Sequence, residues 1–139
     1  MKILVGSHGH MASGMKTSIE ILSGKQDNLE TYDAYVENEE GNIAEAVENF
    51  LQKHPKEETK LLVADIYGGS VCQQMMRFIN EDNVYVIAGA NLAMLLELVL
   101  MCSEQNPEEE RILQAIENSK EMTKRVILEN RAASSDAFF

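Results

Sequence analysis

Residues 61–70 read Leu61-Leu62-Val63-Ala64-Asp65-Ile66-Tyr67-Gly68-Gly69-Ser70. Four apolar residues closed by a polar, glycine-bearing turn describe a short strand buried on both faces. Such a strand belongs inside a parallel sheet, where helices cover both sides. After the turn, the spacing of Val71, Cys72, Met75, Met76 and Ile79 predicts a helix.

The same alternation extends in both directions. Towards the N-terminus, Ile3-Leu4-Val5 is another short apolar run, ending at Gly6. Met11, Met15, Ile19 and Leu22 then form one stripe of a helix that stops near Gly24. Residues 29–36, with Thr31, Tyr32 and Tyr35, predict a strand near a sheet edge. Gly41-Asn42 opens a helix carrying Ile43, Val47, Phe50 and Leu51, and His54-Pro55 closes it, since the residue before a proline resists helical geometry. Towards the C-terminus, residues 84–88 predict a fourth strand, and Gly89-Ala90-Asn91 leads into the apolar segment 92–101. Pro107 starts a mostly polar helix through Glu121, anchored by Ile112 and Ile116. Val126-Ile127-Leu128 either extends that helix or forms a fifth strand; periodicity leaves both open. The pattern predicts an α/β fold, a mainly parallel four-stranded sheet inside a three-layer α/β/α arrangement.

A chain of 139 residues, 45% of them hydrophobic, suits one domain with a real core. We assign it to residues 1–130, with 131–139 as a C-terminal tail. No apolar run approaches the ~20 residues that span a bilayer. The start of the chain is too short and polar for a signal peptide, which places the protein in the cytoplasm. Cys72 and Cys102 lack metal-type spacing and read as buried free thiols of a reducing compartment. With 23 acidic against 12 basic residues the formal charge is −11. Nucleic acid is thereby excluded as a partner, because its phosphates require clustered Lys and Arg. The same charge favours a protein partner with a basic patch.

In open parallel sheets, ligands collect beyond the carboxyl ends of the strands. There the chain places Ser7, His8, Gly9 and His10 after strand one, Asp65 to Ser70 after strand three, and Gly89-Ala90-Asn91 after strand four. Right-handed crossovers allow strands one and three to be neighbours, bringing His8 to Asp65. Gly6 and Gly9 let the backbone turn around His8. Gly68-Gly69-Ser70 leads into a helix whose free amides favour an anion. Asp65 would hold Nδ1 of His8 and leave Nε2 as nucleophile, with the Ser70 hydroxyl donating to a phosphoryl oxygen. Taken singly, each feature has an ordinary reading as a cap, a loop acceptor or a turn; together they make phosphoryl chemistry the sharper one. His10 reads as structural or incidental, and His54, among charges beside Pro55, as solvent-exposed. The methionines at helical spacing, Met11, Met15, Met75 and Met76, read mainly as core.

Gly6-Ser7-His8-Gly9, Asp65-Ile66-Tyr67-Gly68-Gly69-Ser70, and Val86-Ile87-Ala88-Gly89-Ala90-Asn91-Leu92 with Met94-Leu95 resemble the signature segments of mannose-class enzyme IIA components of the bacterial sugar phosphotransferase system. The similarity runs from Met1 to about Leu128. It implies that His8 takes a phosphoryl group from HPr and passes it to a IIB component, ultimately serving a membrane permease. It also implies that Asp65 is the histidine's carboxylate partner and Ser70 the hydroxyl beside it, with Gly9, Gly68 and Gly69 cradling the phosphoryl group. Members of the family form homodimers by exchanging an antiparallel C-terminal edge strand, which residues 125–129 would supply here. The chain departs from the pattern in Val71, commonly proline, and in His10, often aromatic or apolar. With no IIB segment following, the recipient is expected to be a separate polypeptide.

A dihydroxyacetone kinase phosphotransfer subunit is the nearest alternative, with the same chemistry and another recipient. A nucleotide- or flavin-binding module lacks support: there is no Gly-x-Gly-x-x-Gly after strand one, no Walker Gly-Lys-Ser/Thr and no Trp. A receiver-type switch would need an acidic cluster where Ser7-His8 stands. A non-catalytic binding protein on the same fold remains a third class. No cofactor and no metal is expected, since His8 and His10 are not spaced as a helical ligand pair.

Overall fold

The structure is a computed structural model and describes residues 1–37 and 41–128. Its elements run β1 (Lys2–His8), α1 (Met11–Ser23), β2 (Leu29–Ala34), α2 (Ile43–Lys53), β3 (Lys60–Ala64), α3 (Ser70–Met76), β4 (Val84–Ala88), α4 (Leu92–Leu100) and α5 (Glu109–Glu121). All pairings are parallel and the order is β2-β1-β3-β4, so β1 and β3 are the central pair, in register from Lys2↔Lys60 to Gly6↔Ala64.

Strand side chains alternate between faces, and here both faces are apolar. Ile3, Val5, Leu61, Val63 and Ile87 pack under α1, α4 and α5 with Ile19, Met94, Leu95, Leu98 and Ile112. Leu4, Leu62 and Ala64 point the other way, to Val47 and Phe50 of α2 and Val71, Cys72 and Met75 of α3. This is the expected α/β/α sandwich. Both cysteines are buried and unpaired. Burial pushes the Cys102 thiol up to about 11, keeping it protonated and unreactive.

Four details differ from expectation. Strand β1 does not stop at Gly6 but continues through Ser7 and His8, because β2 keeps pairing with it to His8↔Ala34. Gly6 is therefore not a turn residue. A Cβ there would come within 2.8 Å of Ile43 and Met75 and 3.1 Å of Val71, so its bareness lets α2 and α3 close onto the sheet. Helix α3 ends at Met76; the amides of Arg77, Phe78 and Ile79 bond three residues back, tightening the chain and leaving Ile79 exposed. Residues 123–127 are irregular, so among the described residues no fifth strand forms, and Glu129 and the tail 131–139 lie outside them.

His54 is also not solvent-exposed. Its side chain is only 14% accessible, with Nε2 2.8 Å from Glu30 on β2 and the ring edge-on to Phe50 at 5.0 Å. The proline that ends α2 turns His54 against the edge strand instead of away from it. Met15 and Met75 are core residues as expected, whereas Met11 and Met76 are exposed.

Candidate functional site

His8 is the last residue of β1, and Asp65 follows the last residue of β3, so the central ladder sets them side by side at the carboxyl edge of the sheet. One oxygen of Asp65, Oδ2, accepts from the His8 backbone amide at 2.8 Å and meets ring Nδ1 at 2.7 Å. The other, Oδ1, accepts from the Ile66 amide at 2.9 Å. Burial pushes the Asp65 carboxyl up. The His8 amide, the His8 ring, its attraction when protonated, and the Ile66 amide together outweigh that and hold it below the ordinary 3.8. An ionised Asp65 fixes the proton on Nδ1 and leaves a lone pair on Nε2. The imidazole is 47% accessible while Asp65 is only 9% so, a buried anchor under an open nucleophile.

Ser70, the first residue of α3, brings its Oγ to 3.1 Å from Nε2. Gly69, the residue before it, lies against the ring: a Cβ there would be 3.6 Å from His8 Cε1 and 2.7 Å from the Ile66 side chain. Gly68 supports the turn with φ +77°, a left-handed geometry that glycine adopts without strain. No side chain caps the start of α3. Gly9 turns the chain at φ +63° towards α1, but its amide donates to the Ala34 carbonyl at 2.9 Å and is not free for an anion. Val71 sits in the core over Gly6, which gives the missing proline's place a packing role.

Two contributors escaped the sequence reading. Tyr35, just after β2, stacks on the His8 ring with centroids 5.2 Å apart and 19° between planes, and its hydroxyl is 2.8 Å from Ser70 Oγ. Only the sheet order makes Tyr35 a neighbour of His8. The available signal was an aromatic at the carboxyl end of a strand adjoining β1. Asp33, on β2, accepts from the Ser13 amide at 3.0 Å and approaches His10 Nδ1 at 3.1 Å. Burial pushes Asp33 up, and the Ser13 hydroxyl and amide and the His10 ring bring it down further, to a net lowering. His10 is thus paired with Asp33, is 77% accessible, and shares no hydrogen-bond partner with His8.

A cleft of about 490 Å³ opens beside the cluster, reaching it only through Tyr35 and Ser70. Glu45, Glu48 and Arg77 are its charged lining residues, two negative against one positive. Among the described residues no three His, Cys, Asp or Glu side chains converge as metal ligands, and no helix is long and apolar enough to cross a membrane.

The family model described as "PTS system fructose IIA component" matches residues 2–117. The chain belongs to that family of phosphotransferase-system IIA components. A mannose-specific EIIAB component of Escherichia coli (strain K12) is 30% identical to this IIA chain over 124 residues, 88% of it but 38% of the E. coli protein. The chain thus spans well under half of that relative. A fructose-specific EIIA component of Bacillus subtilis (strain 168) is 27% identical over 100 residues, 71% of this chain and 68% of the other. The fold matches the mannose/sorbose specific IIA subunit from Enterococcus faecalis, with a TM-score of 0.79 at 22% identity, covering 91% of this chain and 95% of that one.

Proposed function

We propose that this IIA-family chain carries a phosphoryl group on Nε2 of His8, taking it from HPr and giving it to a IIB component during sugar uptake. The observation that carries this reading is the His8–Asp65 pair: a largely covered carboxylate oxygen lies 2.7 Å from ring Nδ1, which favours the tautomer whose Nε2 lone pair faces the exposed edge. In loading, the Nε2 lone pair forms the new N–P bond as the donor's N–P bond breaks, and the donor ring keeps that electron pair. No proton leaves His8, because Nδ1 holds it. The Ser70 hydroxyl turns from Nε2 to a phosphoryl oxygen, and the uncapped start of α3 favours the added negative charge. Catalysis is then positioning and charge stabilisation, as expected for phosphoryl transfer. The mannose- and fructose-specific names of the relatives favour sugar uptake over dihydroxyacetone phosphorylation. Cytoplasmic location and assembly as a homodimer through residues 125–129 belong to the same reading. Among the described residues strand β4 has no strand on its outer side, and Val126 and Leu128 are exposed apolar residues that follow a polar helix.

Incubation with phosphoenolpyruvate, enzyme I and HPr, followed by site mapping, tests the chemistry. Acid-labile, alkali-stable label on His8, absent from His8→Ala, is the expected result. An unlabelled chain beside a labelled control carrier would overturn it.

A further inference from the structure

Tyr35 has a backbone φ of +65°, a left-handed conformation that bulky side chains rarely adopt. Outliers of this kind persist where the surroundings over-determine them, often beside functional groups. Here the turn brings the ring back over His8, and Gly41 lies against its hydroxyl end: a Cβ on Gly41 would come 3.0–3.3 Å from three ring atoms. The ring covers one face of the imidazole while its hydroxyl reaches Ser70 Oγ, which in turn reaches Nε2. The direction of these bonds follows from Asp65. With the proton on Nδ1, Nε2 is an acceptor, so Ser70 donates to it and Tyr35 donates to Ser70.

We propose that Tyr35 is a positioning residue for phosphoryl transfer at His8, acting through Ser70; this rests on the carrier reading above. Tyr35 holds Ser70 Oγ in place while the Ser70 proton changes acceptor, from Nε2 in the unloaded protein to a phosphoryl oxygen in the loaded one. The stack fixes the plane of the imidazole, and with it the line along which the Nε2 lone pair meets phosphorus. Asp65, Ser70 and Tyr35 thus set one nitrogen, the other nitrogen and one face of the same ring.

The test is a double-mutant cycle on loading rate, with phosphoramidate as a small phosphoryl donor that needs no protein docking, and HPr as the second donor. Tyr35→Phe keeps the ring and loses one neutral hydrogen bond, so loading is expected to slow about three- to tenfold with either donor. Ser70→Ala is expected to slow it at least as much. The double variant should load no slower than Ser70→Ala alone, since the Tyr35 hydroxyl works only through Ser70. Tyr35→Gly separates function from stability: it relieves the left-handed strain, so its melting temperature should stay near that of the wild type while loading falls. Wild-type loading in Tyr35→Phe, or additive losses in the double variant, would overturn the role of Tyr35 alone. A wild type that neither donor labels would overturn the carrier reading and this role with it.

Discussion

Asp65 places a single oxygen on two donors of the same residue, the amide and the ring of His8. Such an arrangement ties protonation to folding. The folded-state pKa of Asp65 lies below its ordinary 3.8, so the carboxylate adds stability that is complete above that value and lost as pH falls through the folded value. Asp65→Asn lacks this contribution. In urea unfolding at a series of acid pH values, the advantage of wild type over Asp65→Asn should shrink as pH falls below about 4. An advantage that does not change with pH down to acid denaturation would count against it. At this scale the meeting of His8, Asp65 and Ser70 was legible because each sits at a strand-to-helix junction, His8 and Ser70 directly beside a glycine. Tyr35 and Asp33 were not, because their contacts cross to β1 and its loop and depend on which strand lies beside which. Gly9 was assigned to the anion, but its amide completes the β1–β2 edge instead.

Helix α1 begins without help from its own first residues. His10 occupies the N-cap and makes no side-chain cap bond. The free amides are met from outside the helix: Ser7 Oγ accepts from Ala12 at 2.7 Å and donates to the Gly9 carbonyl at 3.0 Å, and Asp33 takes the Ser13 amide. Ser7 is fully buried, so removing its hydroxyl takes that partner from the buried Ala12 amide and from the part-buried Gly9 carbonyl. Ser7→Ala is expected to cost about 1–3 kcal/mol of stability, measurable by denaturant titration; a cost within error would show that Asp33 suffices. The helices and strands themselves were legible from period and punctuation. What periodicity missed was where they end: β1 runs on because β2 pairs with it, and α3 stops early because the carbonyls of Gln74, Met75 and Met76 are taken in tighter turns. The first cause lies on a neighbouring strand, and the second is a tightening of the backbone that side-chain spacing does not register.

Among the described residues the order β2-β1-β3-β4 leaves two edges, and a formal charge of −11 favours repulsion between copies. If residues 125–129 pair with the open edge of a second copy, the 15.6 kDa chain sediments as a dimer, and Val126→Asp with Leu128→Asp returns it to monomer. Monomeric behaviour of the wild type at all concentrations would remove the dimer from the proposal. The layered architecture followed directly from the apolar run 61–64, whereas three apolar residues at 126–128 are too few for periodicity to choose between helix and strand, and residues 123–127 are irregular. The joining of His8 to Asp65 across the two central strands has a last consequence. Their contact lies just beyond the β1–β3 ladder, which ends at Gly6↔Ala64, and a side chain makes it. Rotation of the Asp65 carboxylate therefore frees the His8 amide while the core stays closed, and amide hydrogen exchange at His8 is expected to be faster than at Ile3 to Val5 inside the ladder.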